Sequence, residues 1–216
     1  MKRLLSVILV AALVFCAQLT AFCAEKCEKR YDFEDFYGST DGSVAPTDFV
    51  LSGFEAFASQ EGIGAGILSA EGNEGKGVQL KIKSQNDLRL TLPHPDFAAE
   101  KGKITFSIML SDYESEKKVT LSGQDNSILS FRKGDGQIFM LGKATGIYAP
   151  KDRFITFTFI YDKNFLIAIL YNADGFISHM EKSKNHTGES SEISFSLTGE
   201  SLDKGKESSI LLDSII

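Results

Sequence analysis

Residues 153–162, Arg-Phe-Ile-Thr-Phe-Thr-Phe-Ile-Tyr-Asp, and 165–171, Phe-Leu-Ile-Ala-Ile-Leu-Tyr, decide the fold class of this 216-residue chain. β-Branched and aromatic residues dominate both, which suits pleated strands. Each stretch is apolar on both faces or nearly so, the pattern of a strand covered on two sides near the centre of a sheet. Only Asp162, Lys163 and Asn164 separate them, a link of hairpin length. The pair reads as two adjacent central strands, with Phe157, Phe159, Ile167 and Ile169 in the core.

Outward from this pair the apolar residues alternate with polar ones, as in strands wet on one face only. Val78, Leu80 and Ile82 alternate with Gln79, Lys81 and Lys83, and Leu88, Leu90 and Leu92 with Arg89 and Thr91. Ile104, Phe106, Ile108 and Leu110 alternate with Thr105, Ser107 and Met109; Ile193, Phe195 and Leu197 alternate with Ser194, Ser196 and Thr198. Turn signals lie between strands at Gly72–Gly77, Gly134-Asp135-Gly136 and Asn172-Ala173-Asp174-Gly175. No long stretch has helical spacing, and there is no internal repeat or interdomain linker. The expectation is an all-β, antiparallel, single domain.

The N-terminus differs in kind. Lys2 and Arg3 precede an apolar run from Leu4 to Phe15, followed by small and polar residues through Ala21. This is the build of a secretory signal peptide, and the run is too short to span a bilayer. Cutting after Cys23 puts Ala21 and Cys23 at the positions that need small residues, whereas cutting after Ala24 puts Phe22 at one of them. The expected organisation is a leader over 1–23, a charged tail over 24–30 and one domain over 31–216. The expected compartment is outside the cytoplasm, secreted to the extracellular space or the periplasm, with no membrane span.

The whole chain carries a net charge of −6. Its leader holds two basic and no acidic residues, so the mature part is more acidic still. That balance disfavours nucleic acid and anionic membrane as partners. Cys27 is the one cysteine after the leader, so the domain relies on its core rather than on an internal disulfide, with 17 Phe in the whole chain to build it.

The order of these pieces resembles the concanavalin A-like lectin/glucanase superfamily, in its laminin G-like branch. The resemblance rests on an opening Tyr31-Asp32-Phe33-Glu34, a Gly75-Lys76-Gly77 turn leading into Val78-Gln79-Leu80, and the strand Ile104–Ile108. It rests also on Arg153–Asp162, on Leu170–Gly175 and on the close Leu212-Asp213-Ser214-Ile215-Ile216. One departure is Phe154, where the family usually has Trp; this chain has none. The implied fold is a two-sheet antiparallel jelly-roll sandwich, with a galactose-binding-like jelly roll as the alternative. The resemblance also implies a structural Ca²⁺ between the domain's two ends, near Glu34 and Asp213, although the family's second closing Asp is Ser214 here. Lectins, adhesion modules, hydrolases and lyases share the scaffold, so the fold fixes no activity.

Catalytic candidates are weak. Glucanases of this fold place three carboxylates on one strand so that nucleophile and general acid flank one sugar bond. The nearest stretch is Asp112-Tyr113-Glu114-Ser115-Glu116, running into Lys117 and Lys118, and it reads as a solvated hairpin tip. Asp32 and Glu34 share a face on an opening strand that normally lies away from the cleft. His94, His179 and His186 show no metal-ligand spacing and read as surface-loop residues. No catalytic residue is assigned.

Binding candidates lie on the uncharged strand faces. Thr105 and Ser107, Thr156 and Thr158, and Ser194, Ser196 and Thr198 give three strands uncharged outer faces, although Thr on a curved sheet is also ordinary strand propensity. Sugar sites usually stack rings, and without Trp the available rings are Tyr113, Tyr148, Tyr171 and scattered Phe. The expected function is a non-catalytic binding module for glycans or a surface protein. The alternatives are a polysaccharide hydrolase or lyase, or an assembly domain.

Overall fold

A computed structural model describes residues 33, 54–59, 65–73, 75–83, 86–93, 101–121, 127–162, 164–183, 192–200, 202–203 and 205–216. The expected leader and charged tail, and Glu34, lie outside them. Among the described residues, fourteen strands form two sheets of seven. One, hereafter the β13 sheet, runs in spatial order β1 (Glu55–Ala58), β4 (Leu88–Pro93), β13 (Glu192–Thr198), β6 (Glu116–Leu121), β7 (Leu129–Phe131), β8 (Gln137–Met140), β9 (Lys143–Tyr148). The other, the β10 sheet, runs β12 (Ile177–Ser183), β11 (Phe165–Tyr171), β10 (Phe154–Asp162), β5 (Lys101–Leu110), β14 (Glu207–Ile215), β3 (Lys76–Lys83), β2 (Ala65–Glu71). Every neighbouring pair is antiparallel. This is the expected jelly-roll sandwich. No helix of the described residues is long and apolar enough to cross a membrane.

The sheets meet through aromatic rings. Phe106 on β5 stands edge-on to Phe195 on β13, with centroids 5.1 Å apart, and stacks on Phe159 at 5.6 Å. Phe157 on β10 meets Phe131 on β7 edge-on at 6.0 Å. Such offset and edge-to-face pairs add to the hydrophobic gain of burying the rings. Phe33 from the opening stretch is fully buried and packs on Phe54 at 5.5 Å.

The structure corrects two expectations from sequence. Ile167, half-buried, does not belong to the core, and Ile169, 8 % exposed, is buried but lies outside the cluster between the sheets. The register pairs Thr158 with Ile169 and Ile160 with Ile167, so both isoleucines stand on the outer face, while Leu166, Ala168 and Leu170 fill the interior. A strand apolar on both faces carries no parity signal, and pairing with β10 sets its orientation. The strand β11 is also one place in from the edge, covered only by β12.

The second correction concerns residues 111–115, which form no solvated hairpin tip. They cross from β5 in one sheet to β6 in the other. Asp112 turns inward and pairs with Lys117 Nζ at 3.0 Å, and Lys117 is 1 % exposed. Lys117 is in phase with Val119 and Leu121 on the buried face of β6, which is why its amine must find partners. It finds the Asp112 carbonyl at 3.1 Å and Ser208 Oγ on β14 at 2.9 Å. Asp112 also accepts from the backbone N–H of Glu114 at 2.9 Å and of Ser209 at 2.8 Å, and from Ser208 Oγ at 2.6 Å. Burial alone pushes the Asp112 carboxyl up, but Lys117 and these hydrogen bonds outweigh it and hold the group below the usual carboxylate range. The cluster clips the crossover to both sheets.

Candidate functional site

The outer face of the β10 sheet carries a depression of about 600 Å³. Strand parity builds its floor: inward Phe157 and Phe159 leave Thr156 and Thr158 pointing outward on β10, and the register sets Ser107 and Thr105 opposite them on β5. The hydroxyls pair across the strands, Thr105 with Thr158 at 2.9 Å and Ser107 with Thr156 at 2.8 Å. Such cross-strand pairs hold the side chains upright and order the surface. Half-buried Phe154 and Tyr171 supply the rings that line it.

The turn after β11 makes the rim. Asn172 Oδ1 accepts from the backbone N–H of Asp174 at 3.1 Å and of Phe176 at 2.9 Å, and Gly175 takes the left-handed φ of 79° that the turn needs. Asn73 from the turn after β2 contributes another side-chain amide to the lining. Lys103 and Arg153 also line the depression, and none of its described lining residues is acidic.

Of the residues singled out from sequence, Thr156, Thr158 and Tyr171 come together here. Tyr113 and Tyr148 do not. The Tyr113 hydroxyl donates to the Ala149 carbonyl, and its ring packs on Gly136, where a Cβ would run into the ring at a φ of 69°. Tyr113 therefore staples the turn before β8. Tyr148 is exposed on β9, the edge strand of the opposite sheet. Ser194, Ser196 and Thr198 also belong to the opposite sheet, where Ser194 pairs with Thr91 at 2.9 Å. His179 lies on β12 within 3.3 Å of Glu181, not in a loop; His94 and His186 fall outside the described residues.

Sequence reading missed Lys103 and Arg153. Lys103 is in phase with Thr105 and Ser107, so the outer face of β5 was not free of charge; the signal was present two residues before the stretch that drew attention. Arg153 precedes Phe154 at the strand's start, where parity gives no direction.

No protein-family model matches this sequence, and no curated protein sequence matches it. Solved structures do share its architecture. A protein of unknown function from Shewanella oneidensis MR-1 matches with a TM-score of 0.54 and 13 % identity, covering 92 % of this chain and 91 % of its own. Peanut lectin matches with a TM-score of 0.54 and 12 % identity, over 88 % and 96 % of the two chains. A glycoside hydrolase family 16 endo-glucanase from Bacteroides ovatus matches with a TM-score of 0.51 and 11 % identity, over 87 % and 98 %. At these identities the likeness establishes the concanavalin A-like fold and leaves the activity to be argued from the site.

Proposed function

We propose that this protein is an exported, non-catalytic glycan-binding module whose site is the depression on the outer face of the β10 sheet. The observation that carries the reading is the convergence of Tyr171 and Phe154 with upright hydroxyls and side-chain amides in one shallow, open-faced pocket. Rings stack on the apolar faces of sugars, and hydroxyl and amide groups exchange hydrogen bonds with sugar hydroxyls, so this mixture suits a glycan. Glycoside hydrolysis needs two carboxyl groups flanking the bond, and the described lining residues offer none. Export rests on the leader at 1–23.

The test is a binding screen of the purified protein against neutral and acidic oligosaccharides, repeated with Tyr171→Ala. The expected result is binding without turnover, weakened about tenfold or more by the substitution, since losing one stacked ring costs roughly 1.4 kcal/mol. Turnover of a bound glycan, or binding indifferent to Tyr171, contradicts the proposal.

A structural calcium is part of the same reading. Asp213 is 3 % exposed on closing strand β14, and its carboxylate lies so close to the Gly72 turn that a Cβ there would stand 2.9 Å from Oδ1. The described residues hold no cluster of three or more acidic, His or Cys side chains. The proposed calcium takes Asp213, with Glu34 of the opening stretch and backbone carbonyl oxygens as the resemblance implies, since such an ion seeks six to eight oxygens. An ion bound only by the folded state raises the unfolding midpoint. The expected result is a higher Tm in calcium than in excess chelator, a difference abolished by Asp213→Ala. Equal midpoints for the unsubstituted protein rule the ion out.

A further inference from the structure

The charges of the depression differ from those of the rest of the molecule. Most described basic side chains are engaged: Lys81 and Lys83 with Glu207, Lys117 with Asp112, Lys118 with Glu116, Arg132 with Asp135, Lys143 with Glu181, Lys206 with Glu114. Others lie over rings, as Arg89 on Phe57, Lys151 on Tyr113 and Lys182 on Phe165. Among the basic residues whose side chains are described, Lys103 and Arg153 have neither an ion pair nor a ring contact, and both line the same depression. In a chain of net charge −6, two free cations in one pocket without an acidic lining residue make a local positive site in an acidic surface.

The register sets their spacing. Lys103 lies opposite Ile160, seven residues along β10 from Arg153. At the rise of a strand, their Cα atoms stand roughly 20 Å apart. The two cations therefore mark opposite ends of the depression, with the hydroxyl floor between them. A single small anion does not reach both. A short chain of sugars laid along β10 does, with an acidic group toward each end and neutral ring edges over half-buried Thr156.

Resting on the glycan-binding reading above, we propose that the ligand is an acidic oligosaccharide bearing carboxylate or sulfate groups on at least two of its units. Arg153 supplies a planar fork of donors and Lys103 a compact charge, and both bond more strongly to an oxyanion than to a neutral hydroxyl. The negative charge of the whole chain opposes wholesale adsorption to polyanions, so recognition is confined to what fits between these two residues.

The experiment is calorimetric titration with tetrasaccharides of galacturonate, mannuronate, guluronate and sulfated galactan. Each is paired with its neutral methyl-esterified or desulfated counterpart and with its acidic monosaccharide. The expected result is at least one acidic tetrasaccharide binding tenfold or more tighter than both its neutral counterpart and its monosaccharide. Its affinity should fall with added salt and drop about tenfold in Lys103→Ala and in Arg153→Ala, as the loss of a charge-assisted contact implies. Preference for uronate or sulfated chains identifies the source of the charge. Both substitutions are of exposed side chains, and unchanged thermal unfolding confirms the fold. If neutral and acidic chains bind alike and the two variants are silent while Tyr171→Ala abolishes binding, the acidic proposal is overturned and the glycan reading stands. If neither acidic nor neutral chains bind, both fall.

Discussion

Asp112→Ala is expected to lower the unfolding free energy by about 3 kcal/mol, the lower part of the range for breaking a buried ion pair, because Asp112 retains some exposure. The loss comes less from the attraction removed than from what remains: Lys117 stays buried with neutral hydrogen-bond partners and no ion pair. Removing both charges, in Asp112→Ala combined with Lys117→Met, should therefore be milder than the single change. Denaturant unfolding of the three proteins measures this, and a double variant as unstable as the sum of the singles contradicts it. The effect also depends on pH in one direction. The folded Asp112 carboxyl lies below its ordinary value, so its contribution is fully present above that value, near 4, and is lost as pH falls through the folded one. The unsubstituted protein and Asp112→Ala should keep a constant stability difference between about pH 5 and 8 and converge in more acidic solution.

Phe159→Ala is expected to cost about 3–5 kcal/mol, the usual loss for emptying a buried aromatic site. The ring is fully buried and stacks on Phe106, which in turn meets Phe195 of the opposite sheet, so its removal opens a cavity at the junction of the layers. Ile167→Ala, on the neighbouring strand, should cost only about 1 kcal/mol, since a half-buried outer-face side chain leaves no cavity. Urea denaturation of the pair reads the orientation of β11 directly. Equal losses would mean that the register of β10 with β11 is wrong by one residue.

These residues show what was legible in the sequence and what was not. The half-wet strands carried an unambiguous parity: Ile104, Phe106 and Ile108 inward, Thr105 and Ser107 outward, and the same for β3, β4 and β13. The doubly apolar β11 carried none, and its facing came from pairing with Thr158 and Ile160. The acidic run at 112–116 misled because charge density near a strand end normally signals solvent. Lys117 already sat in phase with Val119 and Leu121, a lysine on an apolar face that announces a buried partner. The hydroxyl faces were visible one strand at a time, but which strands shared a sheet was not. That information is long-range, and it separates Thr156 and Thr158 from Ser194 and Ser196 and sets Tyr171 in the site while leaving Tyr113 and Tyr148 outside it.

The location of the binding surface on the β10 sheet is read by a nitrogen-15 NMR titration, with the tightest-binding tetrasaccharide of the panel as ligand. Backbone amide shifts should concentrate at Thr156, Thr158, Tyr171 and Asn172, with smaller changes at Lys103 and Arg153. Shifts concentrated instead on the opposite sheet, at Ser194, Ser196 or Tyr148, would contradict it.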